Sequence, residues 1–472
     1  MLARGFVMYP GHIAQFILSP LFGGAGRVAL VVLLAASFAV PCAWAQKRAS
    51  RPDAAQGGER ASAARGVDVS ALLREAAALL QAGKPDEAEP VVRRALAAAP
   101  RDANAHNLLG VILDQRGGRV AEAERAYREA LRLHPQATSA RANLGVLLAR
   151  NGRPLEAVEA FETVLKDVPG HRQATLNLGL ALYQLKRFDE AAARLEAAVK
   201  LSPAAEPLYY LGLIAQEHGR ASDAADYWQG ALALRPNFPE VNFALAEELR
   251  RQRRYEGAAE FYERALTQEP SKLVYYVRLG GVLMLLVRYE RALEIFRRAA
   301  ERFPEAAEAH YFLGIAARGS ANYDVAEASL RRSLALRPGN PDALAQLGFI
   351  LTERSNFAEA DELLRRAASL AAGHFYAHYD LGRLLLKQQR YDEAIRILQK
   401  AATIRPDDAS VHYSLFMAFS RLKRKAEADA ELITFKRLEE ERKRRRSEGL
   451  EDYTDAVDNP PAPDSAPPPQ TN

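Results

Sequence analysis

The sequence is short of the residues that most often carry chemistry. In 472 residues it has one cysteine, Cys42, so it forms no internal disulfide and no cysteine-based metal site. Tryptophan occurs twice, as Trp44 and Trp228. Neither sign of charge prevails: 64 basic residues face 59 acidic ones, too even a balance to mark a nucleic-acid partner. No phosphate-binding loop of the Walker type occurs, and no HExxH motif. The glycines at 23–26 have no strand before them. Half the residues are apolar and a quarter charged, as in a soluble folded chain.

There is one long uncharged apolar run, residues 28–40, "VALVVLLAASFAV", placed after Arg27 and followed by the small-x-small sequence Ala43-Trp44-Ala45. That order predicts a signal peptide over 1–45, cleaved before Gln46 and exporting the chain to the periplasm or the exterior. The segment before the run is longer than usual for such a leader. The alternative is an uncleaved anchor in the inner membrane; residues 28–45 are slightly short for a span and contain Pro41. Residues 46–68 are polar and rich in Ala, Gly, Ser and Arg, which predicts a flexible linker. Residues 448–472 are acidic and then proline-rich, which predicts a disordered tail.

Between these ends the chain repeats itself. "YFLGIAARGSANYDVAEASLRRSLALRP" begins at Tyr311, and "YDLGRLLLKQQRYDEAIRILQKAATIRP" begins at Tyr379. Pro100, Pro135, Pro169, Pro203, Pro236, Pro270, Pro304 and Pro338 follow one another at 33–35 residues, and Pro406 comes two periods later with Ala372 between. Gly110, Gly145, Gly179, Gly212, Gly280, Gly314, Gly348 and Gly382 keep the same step, with Ala246 in the gap. Within a unit, apolar residues fall at helical spacing twice, as in Leu381, Leu384, Leu385 and then Ala394, Ile395, Leu398. Gly382 and Ala394 then permit two helices to approach closely. Gly83, Gly152 and Gly219 fall at the turn between them, where a left-handed residue is wanted. The proline stops the second helix. One helix pair cannot bury both of its faces, so pairs must stack.

This pattern resembles the tetratricopeptide repeat (TPR) family, in which Leu-Gly, Ala, an aromatic and Pro recur over 34 residues. The resemblance implies an all-α superhelical solenoid of about eleven helix-turn-helix units over 69–440. The last unit departs: Phe416 takes its glycine slot, and its second helix runs on through "FKRLEEERKRRRSEG". A capping helix to about residue 447 is expected there. Its basic run at 442–446 reads as a solvated face rather than a docking site.

His106, His310, His378 and His412 share one slot of their units, the slot that holds a packing tryptophan in the family. A packing role is expected for them, not a metal site. The acidic residues that recur at the start of second helices suit a helix N-terminus rather than acid–base chemistry. The family's concave face then remains as a binding surface. Asn143, Asn177, Tyr209, Phe243, Arg250, Arg278, Tyr311 and Arg318 are its candidate partner-binding residues, because exposed aromatics with arginines are the composition of binding hot spots. Asn143 and Asn177, with Asn107 one position off, resemble the asparagine ladder by which some TPR superhelices hold an extended peptide. The family's carboxylate clamp is not matched, since Lys and a second Asn do not accompany Arg278 in register. Repeats five to eight are the expected main binding segment.

The resemblance therefore implies a non-enzymatic scaffold that binds a protein or peptide client, without cofactor, metal, nucleic acid or small-molecule substrate. The alternative is an accessory subunit of an envelope glycosyltransferase or polysaccharide-export complex, associated with a membrane and with catalysis in another chain.

Overall fold

The computed structural model describes residues 68–447. The predicted signal peptide, the linker up to residue 67 and the tail from 448 lie outside the described residues. The regular structure described is helical throughout, in consecutive antiparallel pairs of a first (A) and a second (B) helix. The chain divides into two compact units at Pro236 and Asn237.

In the first unit the A/B pairs are α1 (Val69–Gln81) with α2 (Pro85–Ala98), α3 (Ala103–Arg116) with α4 (Val120–Leu133), and α5 (Thr138–Arg150) with α6 (Pro154–Asp167). They continue as α7 (Arg172–Gln184) with α8 (Phe188–Leu201), and α9 (Ala205–Glu217) with α10 (Ala221–Leu234). In the second unit they are α11 (Pro239–Arg251) with α12 (Tyr255–Gln268), α13 (Leu273–Leu285) with α14 (Tyr289–Arg302), and α15 (Ala307–Gly319) with α16 (Tyr323–Leu336). Then follow α17 (Pro341–Glu353) with α18 (Phe357–Leu370), α19 (Phe375–Lys387) with α20 (Tyr391–Ile404), and α21 (Ala409–Arg421) with α22 (Lys425–Ser447). Inside each unit every helix packs on its pair-mate, and each B helix followed by another pair in the unit packs on that pair's A helix. The buried core follows that stacking: it runs through residues 72–214 in the first unit and 246–428 in the second.

The sequence supplies both ends of these helices. Asp102 accepts from the backbone N–H groups of Asn104 and Ala105 at 2.8 and 3.0 Å, and Asn340 caps α17 in the same way, each satisfying donors that no helical carbonyl reaches. The B helices use another device. An arginine stands just before the helix and pairs with an acidic residue of its first turn, as in Arg187–Glu190 at 2.6 Å and Arg390–Glu393 at 2.8 Å. The carboxylate faces the positive end of the helix dipole, which accounts for the recurrent acidic residues there.

The A-to-B turn needs a left-handed residue. Gly83, Gly152 and Gly219 supply it with φ of 73°, 76° and 70°, but Lys186, Arg253, Val287, Ala321, Ser355, Gln389 and Lys423 adopt it as well, at φ of 55–63°. Where the two helices of a pair cross, glycine is required by space. A side chain at Gly212 would overlap the indole of Trp228. That ring is fully buried, and its Nε1 donates to the Tyr209 carbonyl at 3.2 Å.

The four histidines of the shared slot tie each A helix to the end of the preceding B helix. His106, His310, His378 and His412 each place Nε2 2.9 Å from the carbonyl six residues earlier, at Pro100, Pro304, Ala372 and Pro406. A carbonyl only accepts, so Nε2 carries the proton and is spent as a donor. Tyr276 makes the same tie to Pro270 at 3.2 Å. Among the described residues no group of three or more His, Cys, Asp or Glu could hold a metal ion. No described helix is long and apolar enough to cross a membrane.

Candidate partner-binding surface

In the first unit, Asn143 on α5 and Asn177 on α7 occupy equivalent positions one repeat apart. Asn143 is half-buried, and its Nδ2 donates to Asn107 Oδ1 on α3 at 3.1 Å. The residue that is one position off in sequence is therefore the one bonded to it. Asn177 is only 4% exposed. Gln173, exposed and one turn earlier, donates to its Oδ1 at 3.2 Å, while its Nδ2 has no hydrogen-bond partner among the described residues. A buried donor without an acceptor costs ~1–3 kcal/mol. Tyr209 on α9 is half-buried, with its ring edge-on to Tyr210 at 5.2 Å. Asp114 on α3 pairs with Arg150 on α5; burial pushes its carboxyl up although Arg150 pulls it down.

In the second unit, Arg250, Arg278 and Arg318 are 8%, 6% and 5% exposed. Glu247 on α11 gathers the first two. Arg250 donates to it at 2.9 Å, Arg278 Nε from α13 lies 3.0 Å away, and Tyr262 of α12 donates to its second oxygen. Burial pushes the Glu247 carboxyl up, but Arg278 and Arg250 outweigh it and hold the group below the usual carboxylate range. Phe243 packs on Tyr275 with ring centres 5.1 Å apart. Further along, Arg318 of α15 donates to Gln346 of α17 and lies over the Phe349 ring at 4.8 Å, with Arg383 of α19 over the same ring at 5.5 Å. Arg383 also approaches Asp380 and Glu353, at 3.5 and 3.3 Å. Burial raises the Asp380 carboxyl to about 6 against the pull of Arg383 and Arg318. Tyr311 is buried beside Phe312, ring centres 5.2 Å apart.

Thus Arg250 and Arg278 share one carboxylate, Asn143 is joined to Asn107, and Arg318 is joined to Gln346. Sequence reasoning did not single out Gln346 or Asp380. Register would have found both, since they stand two and three 34-residue steps after Arg278, in the same A-helix position.

A family model described as tetratricopeptide repeat matches residues 73–138, 114–161, 143–206, 209–272 and 286–341, and a second of the same description matches 351–418. The chain belongs to the tetratricopeptide repeat family. Three solved structures are similar to parts or most of the chain. The "APC/C hetero-tetramer Cut9-Hcn1" is similar at 14% identity over 83% of this chain and 89% of that one, with a TM-score of 0.43. The pilF protein of Pseudomonas aeruginosa is similar at 23% identity over 51% and 94%, with a TM-score of 0.36. Yeast Tom70 is similar at 15% identity over 81% and 98%, with a TM-score of 0.33. No curated protein matches the chain. Arrays of tetratricopeptide repeats are typically non-catalytic interaction scaffolds.

Proposed function

We propose that this TPR chain is a non-enzymatic, exported scaffold that holds an extended protein or peptide segment along its A helices. The observation that carries the reading is Asn177: an amide donor without an acceptor, in register with Asn143 and next to an exposed Gln173 that bonds its Oδ1. The amide side chains supply donors of the kind a peptide main chain accepts. Half-buried Tyr209 and Phe243 add aromatic surface, whereas Tyr311, Arg250, Arg278 and Arg318, expected from the sequence to be exposed, are buried among neighbouring side chains and leave the list of client contacts. Export rests on the sequence of the leader, and N-terminal sequencing of the mature protein is expected to begin at Gln46.

The test of the surface is photocrosslinking. A benzophenone amino acid is placed at Gln173 on α7 or at the exposed Arg125 on α4, and adducts are collected from envelope fractions. Adducts at Gln173 and none at Arg125 are expected. Adducts from Arg125 alone would place binding on the B helices and overturn the reading.

A further inference from the structure

We propose that the acidic segment at residues 448–464 folds back as an extended chain over a column of basic residues on the B helices of residues 237–447. This face is separate from the A-helix surface above, so the two readings stand or fall independently.

Arg264 on α12, Arg298 on α14, Arg332 on α16, Arg366 on α18 and Lys400 on α20 are each the tenth residue of their helix. They recur at steps of 34, and all five are exposed. In the neighbouring row, Arg331 pairs with Glu359 of α18 at 2.5 Å and Arg365 with Glu393 of α20 at 3.4 Å, so that row joins repeats. The column does not. Among the described residues only its Arg332 has an acidic partner, Glu305 at 2.8 Å. Arg264 lies over the Phe261 ring, and Arg366 donates to the Pro338 carbonyl at 3.0 Å. Glu260, Glu294 and Glu362 stand one turn before Arg264, Arg298 and Arg366 without pairing with them. Before Lys400 that place holds Arg396, so the column is most cationic at its α20 end.

The placement of residues 448–464 follows from charge, spacing and reach. Residues 448–472 carry six acidic residues and no basic one, and Asp452, Asp455, Asp458 and Asp464 fall on a three-residue step. Three extended residues span ~10 Å, close to the ~10 Å between helices packed side by side. The Arg331–Glu359 and Arg365–Glu393 pairs put successive B helices within one side chain's reach. The last helix, α22, runs in the B direction and ends at Ser447, thirteen residues or ~20 Å past Thr434, its own tenth residue. The eight residues to Asp455 span at most ~29 Å, enough to return that distance and cross to Lys400. Asp458 then falls at Arg366 and Asp464 at Arg298. The step between them holds Pro461 and falls at Arg332, the one member already paired. The basic run nearest the segment is engaged by its own helix: Arg442 meets Glu439 at 3.1 Å, and Lys443 meets Glu440 at 2.9 Å.

The test is carbodiimide crosslinking of the full chain, which joins carboxylates to lysine amines in direct contact, mapped by mass spectrometry. A bond between Asp455 and Lys400 is expected within monomers. Its yield is expected to fall at least about fivefold in 1 M salt, where screening shortens the reach of exposed charges. Arg366→Lys supplies a second amine and is expected to join Asp458, which checks the register without changing charge. Arg366→Glu is expected to lower the Asp455–Lys400 yield about threefold, and adding Asp458→Arg to restore it. No Lys400 adduct, or adducts of the segment confined to Lys436 and Lys443 of α22, overturns the proposal. A Lys400 adduct found only in crosslinked dimers overturns it in favour of a second copy's segment. A Lys400 adduct indifferent to salt and to Arg366→Glu also overturns it, because the column then plays no part.

Discussion

Val287 is the residue most at odds with its place. It is β-branched, yet it sits at φ 59° in the turn between α13 and α14, with 58% of its surface exposed. The left-handed region costs a non-glycine residue ~1–2 kcal/mol, and exposure means little packing is lost on removing the side chain. Val287→Gly is therefore expected to stabilise the protein by ~1 kcal/mol, measured by urea unfolding; an unchanged or lowered midpoint would show that the turn is not strained. Gly314 is the reverse case. A side chain there would lie 2.7 Å from Leu330 Cγ, so Gly314→Leu is expected to cost ~1–3 kcal/mol.

Residue-scale roles were only half legible in the sequence. The turn glycines could be read, because glycine announces a left-handed position. The seven other turns could not, since Lys, Arg, Ser or Gln carries no such signal. Register likewise placed Arg250 and Arg278 on the A helices, but a register gives a face and not a partner, so their sharing of Glu247 emerges only from the fold. That sharing has a measurable consequence. Arg278→Ala leaves Glu247 with Arg250 and Tyr262 and is expected to cost up to ~3 kcal/mol, in line with broken buried pairs. In a double-mutant cycle with Glu247→Gln the two losses should not add. Strict additivity would separate the two residues and return Arg278 to the list of groups available to a client.

Between elements, ionisable groups do much of the joining. His412 on α21 has both ring nitrogens on acceptors, Nδ1 at 2.6 Å from Glu431 of the terminal helix α22 and Nε2 at 2.9 Å from the Pro406 carbonyl. Two acceptors call for an imidazolium. Its pKa is raised, chiefly by the bond to Glu431 against the cost of burial, with the Pro406 carbonyl and Asp408 helping. A raised pKa fixes the sign: the stabilisation is complete below the ordinary value near 6.5 and is lost as pH rises through the folded value. Amide exchange in α22 is expected to quicken as pH climbs above neutrality, beyond the intrinsic rise in exchange rate. Glu431→Gln is expected to remove that extra dependence; if the variant keeps it, the tie is not the cause.

Glu89 on α2 works in the opposite direction. Its side chain is 8% exposed and meets Arg93, Arg116 and Arg119. Burial pushes its carboxyl up, but the three arginines prevail and hold it at about 2 instead of 4.5. The pairing of α2 with α3 is therefore at full strength above pH 4.5 and is lost as pH falls toward 2. Acid is expected to loosen the first repeats through Glu89, and Glu89→Gln should reproduce that loosening at neutral pH. The repeating helix pairs themselves were legible from the sequence, because stacking dictates the 34-residue period. The ties of His412 to Glu431 and of Glu89 to Arg116 and Arg119 were not, because each joins residues 19–30 positions apart with no periodic mark.

At the scale of the whole molecule, stability in a stacked array comes from repeats and their nearest neighbours, so the chain need not unfold in one step. The buried cores are consistent with this: one set lies within residues 72–214 and another within 246–428. Trp228 is the only tryptophan among the described residues and belongs to the first unit. Its indole is fully buried against Gly212, so its emission is expected to be blue in the native protein, resistant to iodide, and red-shifted on unfolding. Far-ultraviolet circular dichroism instead reports all the helices. If the two cores melt independently, the urea transition seen by Trp228 will depart from the dichroism transition, and the latter will be broader than the tryptophan signal. A destabilising change confined to the second unit sharpens the comparison. Gly314→Leu should shift part of the dichroism curve and leave the Trp228 midpoint in place. Coincident curves in both the parent and the variant, moving together, would instead make the whole array one cooperative unit despite its two cores.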